Sequence, residues 1–134
     1  MIEKIEYGDT TFALILRYNH ESEGVTFVTS PDNPLQLGIL KHCEGHKIKP
    51  HIHRNISHTI SGTQEILHIE YGKVKATFYE AEGKELGSTI LNHGDTILLL
   101  SGAHGFEILK DTKIIEVKQG PYYGVEDDKT RLGV

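Results

Sequence analysis

With one cysteine, Cys43, the chain cannot close an intrachain disulfide, so its fold does not depend on an oxidising compartment. A lone thiol of this kind reads first as a small buried apolar residue. Long apolar runs are equally scarce. No stretch approaches the roughly 18 residues of a bilayer span, and Met1-Ile2-Glu3-Lys4-Ile5-Glu6 alternates charge with apolarity where a signal peptide needs an unbroken apolar run. These two absences make the cytoplasm the expected location. Basic clusters are also missing, and the formal net charge is −5 with histidines neutral. Nucleic acid and anionic membranes both require a concentrated positive patch, so neither is expected as a partner. No window shows helical periodicity.

What remains is a folded composition: 134 residues, 25% charged and 37% apolar, without low-complexity tracts, the size of one domain spanning 1–134. Thr11 to Arg17 is β-branched, aromatic and short, and reads as a strand with Val25 to Val28 as its hairpin partner. Pro31-Asp32-Asn33-Pro34 marks a loop, and Leu35 to Leu40 resumes extended structure. Arg54 to Gln64 is polar and broken by Gly62, which predicts a loop. Glu65 to Tyr71 and Lys73 to Tyr79 flank Gly72; the second alternates Val74, Ala76 and Phe78 with Lys73, Lys75 and Thr77, the period of a sheet with one wet face. Ser88 to Leu91, the continuously apolar Thr96 to Leu100, the run through His104, Phe106 and Ile108, and Thr112 to Lys118 complete an all-β chain. The segment 119–134 reads as an irregular cover.

Within this frame one stretch carries chemistry, Lys49-Pro50-His51-Ile52-His53. Histidines at i and i+2 on an extended strand share a face with backbones about 6.5–7 Å apart, so two imidazoles can reach one ion at roughly 2.0–2.1 Å. Pro50 suits the first residue of a strand. Nine histidines in 134 residues would give about 0.6 such pairs on a shuffled chain, so the spacing needs company. Two other residues supply it. Glu65 shares its face with Leu67, Ile69 and Tyr71, a carboxylate in line with core residues, and a bound cation would offset the cost of burying it. His104 alternates in phase with Phe106 and Ile108, which puts an imidazole on an apolar face.

Together, His51-x-His53, then Glu65 seven residues before Gly72, then Gly94-Asp95 and the turn Ser101-Gly102-Ala103-His104 resemble the two sequence motifs of the cupin family. The resemblance spans about residues 40 to 118. It implies a double-sheet jelly-roll barrel of the cupin type, with His51, His53, Glu65 and His104 as ligands of one divalent transition metal. Eleven residues separate His53 from Glu65 where the family has only a few, and His58 lies among them, so His58 stands beside Glu65 as the alternative fourth ligand. The second motif lacks its usual proline and is one residue short before His104.

A set of imidazoles and one carboxylate suits Zn, Fe, Mn, Ni or Cu alike. Four protein ligands would leave two positions of an octahedral ion for a bidentate ligand, so the expected substrate is a small oxygen-rich molecule, sugar-like or a carboxylic acid. The resemblance is compatible with a dioxygenase, an isomerase or epimerase, or a non-catalytic binding or sensing module. Beyond the ligands, the acid–base candidates are Tyr71, on the face of Glu65, and His58. His68 and Glu70 point the other way by parity. The resemblance also implies a homodimer, with the N-terminal strands 1–30 at the interface.

Overall fold

The computed structural model describes residues 2–133, with the side chains of residues 127 and 128 left aside; Met1 and Val134, the ends of the expected domain, lie outside the described residues. The expectation of an all-β chain is met. Among the described residues ten strands form three antiparallel sheets, none of which closes into a barrel, and the remaining element is the four-residue helical turn α1, Val125–Asp128. The chain divides into two compact units, 1–20 with 63–134, and 21–62.

The larger unit holds two sheets. One has the order β1 (Ile2–Tyr7), β2 (Thr10–Leu16), β8 (Thr96–Leu99), β5 (Glu65–Tyr71), β10 (Lys113–Lys118); the other has β7 (Glu85–Asn92), β6 (Lys73–Tyr79), β9 (Ala103–Ile108). Their inward side chains form one core. Phe12, Ala13, Ile15, Leu67, Ile69, Ile97 and Leu99 come from the first sheet, and Val74, Ala76, Phe78 and Leu91 from the second. Along Lys73 to Tyr79 the inward half of the expected alternation is realised, with Val74, Ala76 and Phe78 buried, but the expected wet face is corrected: β6 is the central strand between β7 and β9, Thr77 is buried as well, and Lys73 and Lys75 are partly covered. Ile97, Leu98 and Leu99 are buried in succession, which explains why that run shows no wet face.

Two glycines of the motif-like segments have structural causes. Gly72 joins β5 to β6 at φ 111, and a Cβ there would stand 2.6 Å from the carbonyl of Asp111. Gly102 has φ 77, and a Cβ would overlap the Phe12 ring. Both the dihedral and the lack of space require glycine.

Asp95, next to Gly94, is a buried latch. Its Oδ1 accepts the Tyr18 N–H at 2.9 Å, and its Oδ2 accepts the Asn92 N–H at 2.8 Å and Arg17 Nη1 at 2.9 Å. Arg17 in turn donates to Ile90 O, to Thr89 Oγ1 and twice to Glu3, so all five of its N–H groups are used. This ties β2 to the turn before β8 and to β7 of the other sheet.

The smaller unit contains the hairpin β3 (Gly24–Phe27) and β4 (Gly38–Lys41), with Gly24 opposite Lys41 and Phe27 opposite Gly38. Here the sequence expectation is corrected. The segment Val25 to Val28 does not pair with the strand through Thr11 to Arg17; β2 pairs with β1 and β8 instead. The N-terminal charge alternation is itself a strand, and it takes the edge that a hairpin partner would have filled. From 47 to 62 no strand forms, so His51 and His53 stand on irregular chain rather than on the expected strand. Cys43, expected to be buried, is exposed. It follows β4, outside any sheet, where no core is at hand to cover it.

Candidate functional site

Glu65 opens β5 and pairs laterally with Leu99 of β8 and Lys118 of β10. Residues directly opposite one another in antiparallel strands share a face, so the Glu65 side chain shares the inner face with Leu99. His104 lies opposite Phe78 in the β9–β6 pairing and shares the inner face of the second sheet. The two residues therefore enter from opposite walls of one sandwich, as the parity of the sequence predicts for each. They meet: His104 Nε2 lies 3.7 Å from Glu65 Oε1, with side chains 26% and 23% exposed. The His104 ring also lies 5.6 Å from the Phe106 ring between centroids.

Burial sets the protonation of this pair. It pushes the Glu65 carboxyl up from 4.5 to about 7, helped by a hydrogen bond to the Glu116 carboxyl and by that group's charge, while Lys118 and Lys129 pull the other way. Burial also lowers the His104 imidazolium below its usual 6.5, with the Lys129 ammonium adding to the effect and Glu116 opposing it. The imidazole is therefore held neutral, with a lone pair free, and the carboxyl holds a proton that a cation could displace. Metal ligation requires a neutral imidazole and a deprotonated carboxylate, with protons released as the ion binds. The pair fits a divalent ion on those terms.

His51 and His53 also form a pair, within the smaller unit. Their rings are 5.3 Å apart at an interplanar angle of 72°, both are exposed, and His51 Nδ1 lies 2.8 Å from the Lys49 carbonyl. His58 is exposed on the loop. The sequence-derived set thus stands as two pairs, Glu65 with His104 and His51 with His53. Among the described residues no three His, Cys, Asp or Glu side chains are gathered as a ready metal shell.

Of the acid–base candidates, Tyr71 corrects the expectation of an inward tyrosine. It lies on the parity of Leu67 and Ile69 but at the end of β5, where the core has run out, and it is 51% exposed. His68 faces outward as expected, with Nδ1 2.9 Å from Thr96 Oγ1. A surface depression of about 500 Å³ lies over Arg17, Tyr18, Asn92 and His93 and contains none of the candidate ligands.

Sequence reasoning missed Glu116 and Lys118. Glu116 reaches the Glu65 carboxyl from β10; Lys118 Nζ lies 3.9 Å from Glu116 Oε1 and 5.2 Å from the centre of the Tyr122 ring. The signal was present, since Ile114, Glu116 and Lys118 share one parity of β10, but Ile115 and Val117 on the other parity look like the buried set. No protein family, curated protein or solved structure matches the chain.

Proposed function

We propose that this chain is a metal-binding protein of cupin type that uses one divalent transition ion (Zn, Fe, Mn, Ni or Cu) to act on a small oxygen-rich molecule, sugar-like or a carboxylic acid. The observation that carries the reading is the meeting of Glu65 and His104, at 3.7 Å, from opposite sheets of one sandwich. Burial keeps both groups uncharged in the absence of a cation: His104 is already in the neutral form that ligation requires, and Glu65 would release its proton as the ion binds. Glu65 and His104 would hold the ion, and the resemblance adds His51 and His53 to the ligand set. A bound ion would supply Lewis-acid polarisation of an oxygen ligand. In fold terms the proposal is a jelly roll. Its support is the five-stranded and three-stranded antiparallel sheets of the larger unit closing over one core.

A second reading, a non-catalytic metal- and ligand-binding or sensing module, is favoured by the exposure of Tyr71 and His58, the acid–base candidates named from the sequence. Elemental analysis of the purified chain, followed by Zn²⁺ and Co²⁺ titration after chelation, tests the common core of both. Tight uptake is expected, with loss in Glu65→Gln and His104→Ala. His51→Ala and His53→Ala, titrated in parallel, test the pair that the resemblance adds. No uptake by the unaltered chain ends both readings. Chelator-sensitive consumption of a member of a sugar and small-acid panel selects the enzyme, and binding without consumption selects the module.

A further inference from the structure

We propose that His42 and His46, stacked across one turn of the smaller unit, chelate a late divalent transition ion (Zn²⁺, Ni²⁺ or Cu²⁺) at an exposed surface site. The proposal does not depend on the reading of Glu65 and His104. It starts from the chain just past β4. Lys41 ends that strand opposite Gly24 and bridges Glu21 at 2.8 Å and Glu23 at 3.0 Å, which anchors the point where the turn departs. The turn runs Cys43-Glu44-Gly45-His46 and is closed by the His46 N–H, which donates to the Cys43 carbonyl at 3.2 Å. Gly45 takes φ 87, the positive value that the third position of a type II turn requires. A turn of this kind brings its first and last residues within about 7 Å of each other, and His42 immediately precedes it. The two imidazoles meet as a result, with ring centroids 4.0 Å apart and planes inclined by 8°.

Two nitrogens bound to one ion at roughly 2.0–2.1 Å stand at most about 4.2 Å apart. The His42 and His46 rings are already on that scale, whereas the His51 and His53 rings are 5.3 Å apart and inclined at 72°. A small adjustment of the two side chains then lets one nitrogen of each ring share an ion. Both residues are exposed, so the ion exchanges two waters for two imidazoles and keeps the rest of its hydration. Among the described residues no third His, Cys, Asp or Glu side chain completes a shell with them, so the remaining positions stay open to water or to a small oxygen or nitrogen ligand. Imidazole donors suit Zn²⁺, Ni²⁺ and Cu²⁺, while Mg²⁺ and Ca²⁺ take oxygen ligands. Placing two donors on one turn makes the second contact intramolecular, and such linkage raises affinity by about 10²–10⁴-fold over either donor alone. Cooperation between the rings therefore separates a chelate from two solvated histidines.

Titration of Zn²⁺ into the chelator-treated full chain at about pH 7.5, followed by the imidazole ring signals in NMR, tests this. The His42 and His46 signals are expected to move together in one saturable step, and Mg²⁺ should move neither. His42→Ala should weaken the response of His46 by about 100-fold or more, and His46→Ala that of His42. Cys43→Ser should leave the step unchanged, as should Glu65→Gln, which removes a ligand of the other pair. Each substitution is checked by a thermal melt. An unaltered His46 response in His42→Ala would overturn the proposal, because the two rings would then bind independently. Absence of a response at both rings in the unaltered chain would overturn it too. Loss of the step in Cys43→Ser would replace the second imidazole by a thiolate, and loss in Glu65→Gln would make the pair part of the Glu65 site; either result sinks the assignment. The outcome is separate from the proposed function, which is read at Glu65 and His104 and stands or falls by their own titration.

Discussion

In the metal-free protein, replacing Glu65 by glutamine should stabilise the fold, and only at the higher pH values. Between pH 4.5 and about 7 the native Glu65 holds a proton that the unfolded chain has released. The folded state binds more protons there, so stability present below 4.5 is lost progressively as the pH rises through 7. Each pH unit of such a displacement corresponds to about 1.36 kcal/mol, which makes about 3 kcal/mol the ceiling. Sharing of the effect with Glu116 and partial solvent access reduce the expected value to about 1–3 kcal/mol. Glutamine cannot ionise, and its amide can still donate to Glu116. Urea unfolding of chelated protein at pH 5 and pH 8 is the assay. The variant should match the parent within about 0.5 kcal/mol at pH 5 and exceed it by about 1–3 kcal/mol at pH 8. His104 acts in the opposite direction: its lowered value adds stability above 6.5 that is lost as the pH falls. It is present in both proteins, so it cancels in the difference. An equal difference at both pH values would refute the claim that burial withholds the Glu65 charge; a parent more stable than the variant at pH 8 would reverse it.

The other expectations concern separate parts of the molecule. Arg17→Ala should cost about 3–5 kcal/mol in urea unfolding, because it leaves the buried Asp95 carboxylate without its charged partner, with only the Tyr18 and Asn92 N–H groups still bonded to it; Arg17→Lys should recover only part, as an ammonium cannot reproduce the five-donor fork. Gly72→Ala should lower stability by more than about 1 kcal/mol, since φ 111 and the Asp111 carbonyl both resist a Cβ. Metal affinity should fall about tenfold per pH unit below about 7, where an ion must displace the Glu65 proton, and flatten above it, as read by Zn²⁺ titration across pH. Light scattering should give twice the 15.0 kDa of one chain if the homodimer implied by the resemblance forms.

The sheets were legible where one face is dry and the other wet. Lys73 to Tyr79 announces itself because Lys73, Lys75 and Thr77 alternate with Val74, Ala76 and Phe78, and Glu65 and His104 were placed on inner faces by counting in twos from Leu67 and Phe106. Pairing was less legible. Two short apolar runs beside each other in sequence invite a hairpin, yet β2 finds better cover between β1 and β8, where Ala13, Leu14 and Ile15 are all buried. Nothing local to Val25 to Val28 reports that competition. The same holds at 49–53, where a histidine pair and a leading proline suit a strand, but a strand needs a neighbour to bond with and this segment has none in the structure.

β10 shows how far parity can mislead beside the candidate site. Ile115 and Val117 alternate with Glu116 and Lys118, and the usual logic of burial turns the aliphatics inward. The structure does the reverse, leaving Ile115 and Val117 47% and 53% exposed while Glu116 and Lys118 share the inner parity with Ile114. The register decides this. Val117 lies opposite Ile66 and Ile115 opposite His68, both on the outer face of β5, so turning the aliphatics inward would need a one-residue slip along the whole strand. That slip would remove Glu116 from Glu65. An edge strand that leaves two aliphatic residues about half exposed while a carboxylate and an ammonium take the inner parity forgoes about half of the roughly 1.5–3 kcal/mol that full burial of each aliphatic side chain would contribute. Natural sequences break local rules chiefly where function requires it, so the placement of Glu116 and Lys118 beside Glu65 is itself an argument that this end of the sandwich is the working end.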